Sequence, residues 1–339
     1  MEDAETASAL PDPPGGMQPA AAFQMRVDPE EQLATRAAWL YFVAGLTQAQ
    51  IGKNLGINRT RVNRLLAQAR GQGLVQINIT GRLAECVALE EQLKTQYGLA
   101  DAVVVPTPPD QALIPQVIAT AAGAALAERL KDGMSVGVGW GRTLRLSLQS
   151  VPRRSLKRLS VVSLLGGLTR GSAMNPHETA SHLADLVDAQ CYYVAAPALT
   201  DTESTRDLLI AQPMLREIFE RGEKVDLAFL SVGELSPDCT MTRVGLVSRS
   251  EVDDLAAAGA VGDICAHWID DRGCLVDHPL NSRVVALSPL KLRGIPCVVI
   301  ASGGRAKTAV IRGVLKGSMC NVLITDEETA RLVLAMEAR

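Results

Sequence analysis

The sequence predicts a small all-α head followed by a large α/β body with a mainly parallel sheet. Three observations carry that expectation. The chain has 339 residues, which at roughly 150 per domain makes about two domains. Between Glu31 and Arg70 three short segments place apolar residues at helical spacing, each bounded by a capping or breaking residue. From about Leu99 onward, short runs rich in Val, Ile and Leu alternate with helical patterns, the signature of a parallel sheet covered on both faces. With 47% apolar and 21% charged residues the chain can bury a sizeable core, and wholesale disorder is excluded.

Residues 1–28, with Pro11, Pro13, Pro14 and the Gly15-Gly16 pair, read as a disordered tail. This segment lacks a basic stretch leading into an apolar one, and no run approaches the roughly 18 apolar residues that a membrane span requires, so neither a secretory signal nor a membrane helix is expected. The seven cysteines are odd in number and contain no C-x-x-C pair, which argues against a disulfide framework or a structural zinc site and for a cytoplasmic protein.

Charge is informative by position. The net charge is only -3, yet no Asp or Glu occurs from Gln32 to Ala84, a window with seven basic residues: Arg36, Lys53, Arg59, Arg61, Arg64, Arg70 and Arg82. The rest of the chain carries 27 basic against 37 acidic residues, a net of -10. A merely solvated surface interleaves both signs, so this asymmetry points to a polyanion-binding segment on an acidic body.

Within that window the first helix is expected over about Glu31–Ala44, with Leu33, Ala37, Leu40 and Val43 or Ala44 on one stripe, widened by Trp39 and Phe42, and with Gly45 ending it. Thr47 is a suitable N-cap for a second helix through about Leu55. Gly56 breaks the chain, and Asn58 caps a third helix to about Arg70. Leu74–Thr80 (LVQINIT) reads as a strand or wing. The run Gly45–Leu66 therefore resembles a winged helix-turn-helix. Ile51 and Leu55 line the buried side of the scaffold helix, Gly52 permits close approach, Gly56 makes the turn, and Ile57, Val62 and Leu65 close a small core. At about 100° per residue, Val62, Leu65, Leu66 and Ala69 point inward, while Thr60, Arg64 and Ala67 point outward, flanked by Arg61, Asn63 and Gln68. Thr60, Asn63 and Arg64 are the candidates for base contact, Arg64 as a bidentate partner of guanine. Lys53, Arg59 and Arg61 are candidates for phosphate contact, with Gln48 and Asn58 completing the DNA-binding set.

Leu83–Tyr97 is expected to be an amphipathic linker helix. The domains so read are a tail (1–28), a DNA-binding head (29–82), a linker (83–98) and an effector-binding α/β domain (99–339). In the last, strands are expected at Ala102–Val105, Met134–Val138, Leu159–Leu165, Cys191–Ala195, Leu227–Val232, Arg283–Ser288, Pro296–Ala301 and Asn321–Ile324. Helices fit Pro115–Leu130, Pro176–Asp188, Ala306–Leu315 and Asp326–Met336, the last with Thr325 and Glu328 in capping-box spacing.

Three glycine turns follow strands in this body: Gly139-Trp140-Gly141-Arg142-Thr143, Gly166-Gly167 and Ser302-Gly303-Gly304, the last ahead of Lys307. Such turns leave backbone N–H groups beside helix starts, where anions sit, and ligands of open α/β sheets bind at strand carboxyl ends. A dinucleotide site is not indicated, because Gly137-x-Gly139 is followed by Arg142 rather than glycine, and Leu159–Leu165 offers no acid for a ribose. Arg142, Thr143 and Lys307 beside these turns point to a small phosphorylated or polyhydroxylated ligand, with Asp263 as an acceptor for hydroxyls. Trp140 could stack on a ligand or pack the core; both remain open. His177 and His182 stand five apart, about 140° around a helix, and do not form a zinc pair. No metal or cofactor is expected.

The helix-turn-helix, the stretch Val136–Leu144, Gly262-Asp263-Ile264 and the run from Gly303 to Leu334 together resemble the SorC family of sugar-responsive transcriptional regulators, over nearly all of the chain after residue 30. The resemblance implies a sugar-binding domain similar in fold to ribose-5-phosphate isomerase and glucosamine-6-phosphate deaminase. It implies assembly as homodimers or homotetramers, binding to double-stranded operator DNA, and an effector, often a sugar phosphate, that alters operator affinity. Carried over by position, it implies an effector loop at Gly139–Thr143, with Gly166, Gly167, Asp263 and Lys307 lining the site. Leu83–Tyr97 resembles a polyol-responsive, erythritol-type branch. The catalytic alternative is a sugar-phosphate isomerase or deaminase, for which Asp263 and Glu234 are the candidate bases, but no catalytic pair stands at a recognisable motif, and no enzyme activity is expected.

Overall fold

The computed structural model describes residues 28–75, 83–168 and 175–335. The tail reading before Asp28 and the wing reading from Gln76 to Thr80 fall outside these residues. The chain divides into two compact units, Met1–Ile77 and Asn78–Arg339.

In the first unit, α1 spans Pro29–Phe42, α2 spans Gln48–Leu55 and α3 spans Arg59–Gly71. Capping chemistry sets each start. Asp28 Oδ1 accepts from Glu30 N at 3.0 Å, Thr47 and Gln50 form a reciprocal capping box, and Asn58 Oδ1 accepts from Arg61 N at 2.8 Å. Gly56, at φ 66°, makes the left-handed turn between α2 and α3. The core is small: Ala34, Ala37 and Ala38 of α1 meet Ile51 of α2 and Val62, Leu65, Leu66 and Ala69 of α3. Alanines on α1 let it lie close against α3. Trp39 departs from expectation, at 57% exposed on the outer face of α1.

The second unit opens with α4 (Leu83–Tyr97) and β1 (Asp101–Val105), then α5 (Ile114–Arg129), β2 (Ser135–Val138), α6 (Arg142–Ser147), β3 (Ser160–Gly167), α7 (Pro176–Val187) and β4 (Gln190–Pro197). After a helix pair, α8 (Glu203–Ala211) and α9 (Pro213–Glu223), come β5 (Leu227–Leu230) and β6 (Val232–Glu234). Next are α10 (Thr240–Arg243), α11 (Arg249–Ala257), the hairpin β7 (Gly262–Ile264) and β8 (His267–Ile269), and α12 (Pro279–Ser282). The chain ends with β9 (Cys297–Ala301), α13 (Thr308–Lys316), β10 (Val322–Asp326) and α14 (Glu327–Ala335). Among the described residues no helix is long and apolar enough to cross a membrane.

Seven strands form a parallel sheet in the order β1-β10-β9-β5-β2-β3-β4, and β6-β7-β8 form a small antiparallel sheet. Successive residues of each strand feed opposite layers. Leu227, Phe229, Val299 and Ile324 pack with α5, α6 and α7, whereas Ala228, Leu230, Ile300 and Leu323 pack with α4, α13, α14 and the small sheet. That double burial is why these strands read as continuous apolar runs.

Several elements differ from expectation. Leu83–Tyr97 is a helix, but α4 is built into the body: Cys86, Leu89 and Leu93 are buried in its larger core and Arg331 of α14 pairs with Glu85. Leu227–Val232 is two strands in two sheets, split at Ser231. Arg283–Ser288 makes single bridges only, Ala286 to Leu165 and Val284 to Leu199, and joins no ladder. Thr325 does not cap α14, because β10 runs through it to Asp326. Asp326 Oδ2 accepts from Thr329 N at 3.3 Å in its place.

Candidate nucleic-acid interface and effector site

On the head, α3 turns Val62, Leu65, Leu66 and Ala69 inward and leaves Arg59, Thr60, Arg61, Asn63 and Arg64 exposed. The Arg64 side chain is 69% exposed, against 44% for Arg61. Other candidates are already engaged: Asn58 caps α3, and Gln48 Oε1 accepts from Arg59 Nε at 3.3 Å, tying the start of α2 to the start of α3. Lys53, in the last turn of α2, is exposed. Glu30 of α1 was not singled out in the sequence, yet its two carboxylate oxygens lie 3.4 Å from Arg61 Nη2 and 3.4 Å from Arg64 Nη2. Sequence spacing could not show this, since 31 and 34 residues separate the partners.

In the body, parallel strands bring every carboxyl end to one edge of the sheet. There β2 and β5 are neighbours whose onward connections leave in opposite directions, β2 toward β3 and β5 toward β9, which makes their carboxyl ends the switch point. Gly139 sits at that point: its N–H donates to Phe229 O at 3.0 Å, and a Cβ there would meet Leu230 Cδ2 at 2.9 Å. Gly141, at φ 122°, caps α6 without a side chain and faces open space. The Gln116 side-chain oxygen, with its amide turned to satisfy both neighbours, accepts from Arg142 Nη2 at 3.2 Å. Thr143 is buried at 6% exposure. Trp140 is 8% exposed and packed into the larger core.

The other two glycine turns are shaped by packing. A Cβ on Gly166 would lie 2.6 Å from Ala196 O, and one on Gly167 would lie 2.6 Å from the His177 ring, whose Nε2 lies 3.0 Å from Val194 O. The turn after β9 is seated on the buried Asp326. Gly304 N–H donates to Asp326 Oδ1 at 3.0 Å and Thr329 Oγ1 at 2.8 Å, while Thr107 Oγ1 donates to Asp326 Oδ2 at 2.8 Å. The amides of Gly139, Gly166 and Gly304 are occupied, which corrects the expectation of free amides at these three glycines.

What the edge offers instead is charge. Lys307, on the turn before α13, places Nζ 3.8 Å from Glu234 Oε2 of β6. Asp263 of β7 pairs in register with Gly233, where any Cβ would lie 2.1 Å from Asp263 Oδ1. Glycine at 233 is therefore the condition for Asp263 to sit there. Asp263 Oδ2 accepts from Ala266 N at 3.2 Å, bracing a hairpin turn in which Cys265 and Ala266 both adopt positive φ, 49° and 61°. Burial pushes the Asp263 carboxyl up to about 7, with the Glu234 charge adding to the rise and Lys307 and the Ala266 N–H opposing it. Burial pulls Lys307 below the usual lysine range, while Glu234 and Asp263 hold it up. The structure thus brings Asp263 and Lys307 together with Glu234.

A measurable consequence follows for Asp263. Its folded value lies above the ordinary carboxyl value of 3.8, so the folded state holds a proton that the unfolded chain releases. Its stabilising contribution is complete below about pH 4 and is lost as pH rises through about 7, a swing on the order of 4 kcal/mol. Relative to Asp263→Asn, the unfolding temperature of the wild-type body should fall between pH 5 and pH 8. Parallel curves for the two proteins would show that Asp263 does not titrate there.

A helix-turn-helix head on an α/β body with ionisable side chains gathered at its carboxyl edge defines the class of ligand-responsive transcription regulators. The family described as "Putative sugar-binding domain" matches residues 81–335. The erythritol catabolism regulatory protein EryD of Brucella abortus (strain 2308) is 33% identical over 309 residues, covering 91% of this chain and 98% of its own length. The deoxyribonucleoside regulator of Bacillus subtilis (strain 168) is 32% identical over 308 residues, covering 90% and 98% respectively. Among solved structures, full-length sorbitol operon regulator SorC from Klebsiella pneumoniae matches with a TM-score of 0.69 at 29% identity, over 91% of this chain and 100% of that one. The chain belongs to the SorC family of sugar-binding transcriptional regulators. It is a DNA-binding regulator, and the isomerase or deaminase alternative is set aside because its relatives are regulators rather than enzymes.

Proposed function

We propose that this chain is a one-component, cytoplasmic regulator of a polyol or sugar catabolic operon, working as a homodimer or homotetramer on double-stranded operator DNA. The observation that carries this reading is the exposed polar face of α3, backed by a fully buried apolar one, on a chain whose body belongs to a sugar-binding family. Thr60, Asn63 and Arg64 read base edges; Lys53, Arg59 and Arg61 contact phosphates; Gln48 and Asn58 position the arginines and the start of α3. Head pairs in the oligomer would engage two half-sites whose spacing is set by its symmetry.

The effector site is assigned to the carboxyl edge, from Gly139–Thr143 to Asp263 and Lys307, with Gly166 and Gly167 shaping its wall. Glu234 and Asp263 suit the hydroxyls of a polyol, and Lys307 and Arg142 supply the positive charge that a phosphate ester needs. EryD and the sorbitol operon regulator are named for polyols, which favours a polyol or its phosphate here. We infer that α4, which is packed on β1 and α14, is the element through which a change at this edge is passed on.

Two measurements test the reading. Erythritol, sorbitol, deoxyribose and their phosphates are screened for a rise in unfolding temperature, since a true effector stabilises the folded body; no rise with any of them would remove the polyol and sugar assignment. Operator duplexes are then selected from a random pool. Arg64→Ala should lose about 1–3 kcal/mol of binding and relax the preference at one base pair, whereas Arg59→Ala should weaken all sequences alike. Two variants with wild-type affinity and preference would refute the assignment of α3.

A further inference from the structure

Two of the three arginines assigned to the DNA face of α3, Arg61 and Arg64, are held by one carboxylate. Glu30 sits in the first turn of α1, fixed by Asp28, and the small residues Ala34 and Ala37 bring that turn against the first half of α3. One of its oxygens takes Arg61 and the other takes Arg64. All three side chains are open to water, at 38% for Glu30, 44% for Arg61 and 69% for Arg64, so the arrangement does little for stability. It places a negative charge at the surface where a polyanion must land. A phosphate approaching either guanidinium meets Glu30 as a like-charged competitor. A guanine edge offers neutral acceptors, O6 and N7, and engages the exposed part of Arg64 without that repulsion.

Building on the assignment of Arg64 to base readout, we propose that Glu30 is a specificity-determining positioning residue of the head. Its carboxylate withholds Arg64 from indiscriminate phosphate contact and presents it to a base edge, and it weakens the hold of Arg61 on the phosphates of any sequence. Removing the charge should therefore help random DNA more than operator DNA. Glu31 supplies a charge-matched control: it lies in the same turn and makes no ion pair among the described residues.

The experiment uses the full chain and measures fluorescence anisotropy on a random-sequence duplex pool and on an operator selected from that pool by the wild type, across a salt series. Glu30→Gln is expected to bind the random pool about 3- to 10-fold tighter at low salt, with the slope of log K against log[salt] steeper by about 1, and to gain less on the operator. Glu31→Gln should change both affinities equally and less. In an Arg61→Gln/Arg64→Gln background the difference between the two glutamine variants should vanish. If Glu30→Gln and Glu31→Gln behave alike, or if Glu30→Gln weakens both DNAs as a purely structural residue would, the proposal is overturned. A wild type that enriches no duplex sinks the DNA-binding assignment itself, an outcome distinct from either of these.

Discussion

Gly52→Ala is expected to abolish operator binding while leaving the body intact. Gly52 is buried in α2, and the chain folds back over it: Ile57 N donates to Gly52 O at 2.9 Å, and a Cβ at 52 would lie 2.7 Å from Ile57 O. The obstructing atom is backbone, so the turn itself must move, and with it the Asn58 cap and the direction of α3. Overpacking of this kind costs about 1–3 kcal/mol. A trihelical core built from four alanines and four larger apolar residues has little to spare. Operator affinity should fall by about 100-fold or more, with the unfolding transition of the body unmoved. Anisotropy titration and calorimetry check both halves; binding within about two-fold of wild type would mean that the turn tolerates the methyl group.

Lys307→Met should remove the effector response and leave operator binding in place. Lys307 is the cation that faces Glu234 at 3.8 Å and offsets the buried Asp263. Removing one partner of a fully buried pair costs about 3–5 kcal/mol, and this half-buried pair, with 24% of Lys307 and 20% of Glu234 exposed, should cost less. Without the lysine the Asp263 carboxyl rises further, and the site has lost the charge that a phosphate ester would meet. Lys307→Met/Glu234→Gln should regain much of the stability but not the response, which separates folding from recognition. Thermal shift with the compound identified in the screen reads the outcome; an undiminished shift in the single variant would place the effector elsewhere.

The alternation of strand and helix was legible because β5, β9 and β10 are buried on both faces, and the runs Leu227–Leu230, Cys297–Ala301 and Val322–Ile324 are apolar throughout. Less legible were α8 to α12 and the small sheet, whose elements of three to eleven residues are too short to establish a period. Arg283–Ser288 misled because its apolar residues are buried in the core beside β3, β4 and α9 without membership in a ladder. In the site, the glycine turns were visible as residues, but their purpose was not. Gly166, Gly167 and Gly303 are glycine because Pro197, His177 and Asp326 crowd their Cα atoms. Lys307 and Asp263 are both expected to line the site, and Asp263 and Glu234 are grouped as candidate bases, but the pairing of Lys307 with Glu234 is visible only in the fold. Glu30 illustrates the same limit: a contact between the first turn of one helix and the outer face of another leaves no trace in local spacing.

If the effector binds at the carboxyl edge as proposed, its occupancy must change how the head holds DNA. The most direct measurement is the affinity of the wild-type protein for its selected operator with and without a saturating concentration of the stabilising polyol or sugar phosphate, over a range of salt. A change of at least about 5-fold is expected, matched by an equal factor in effector affinity when operator is bound. Identical operator affinity and identical salt dependence in the two conditions would contradict it.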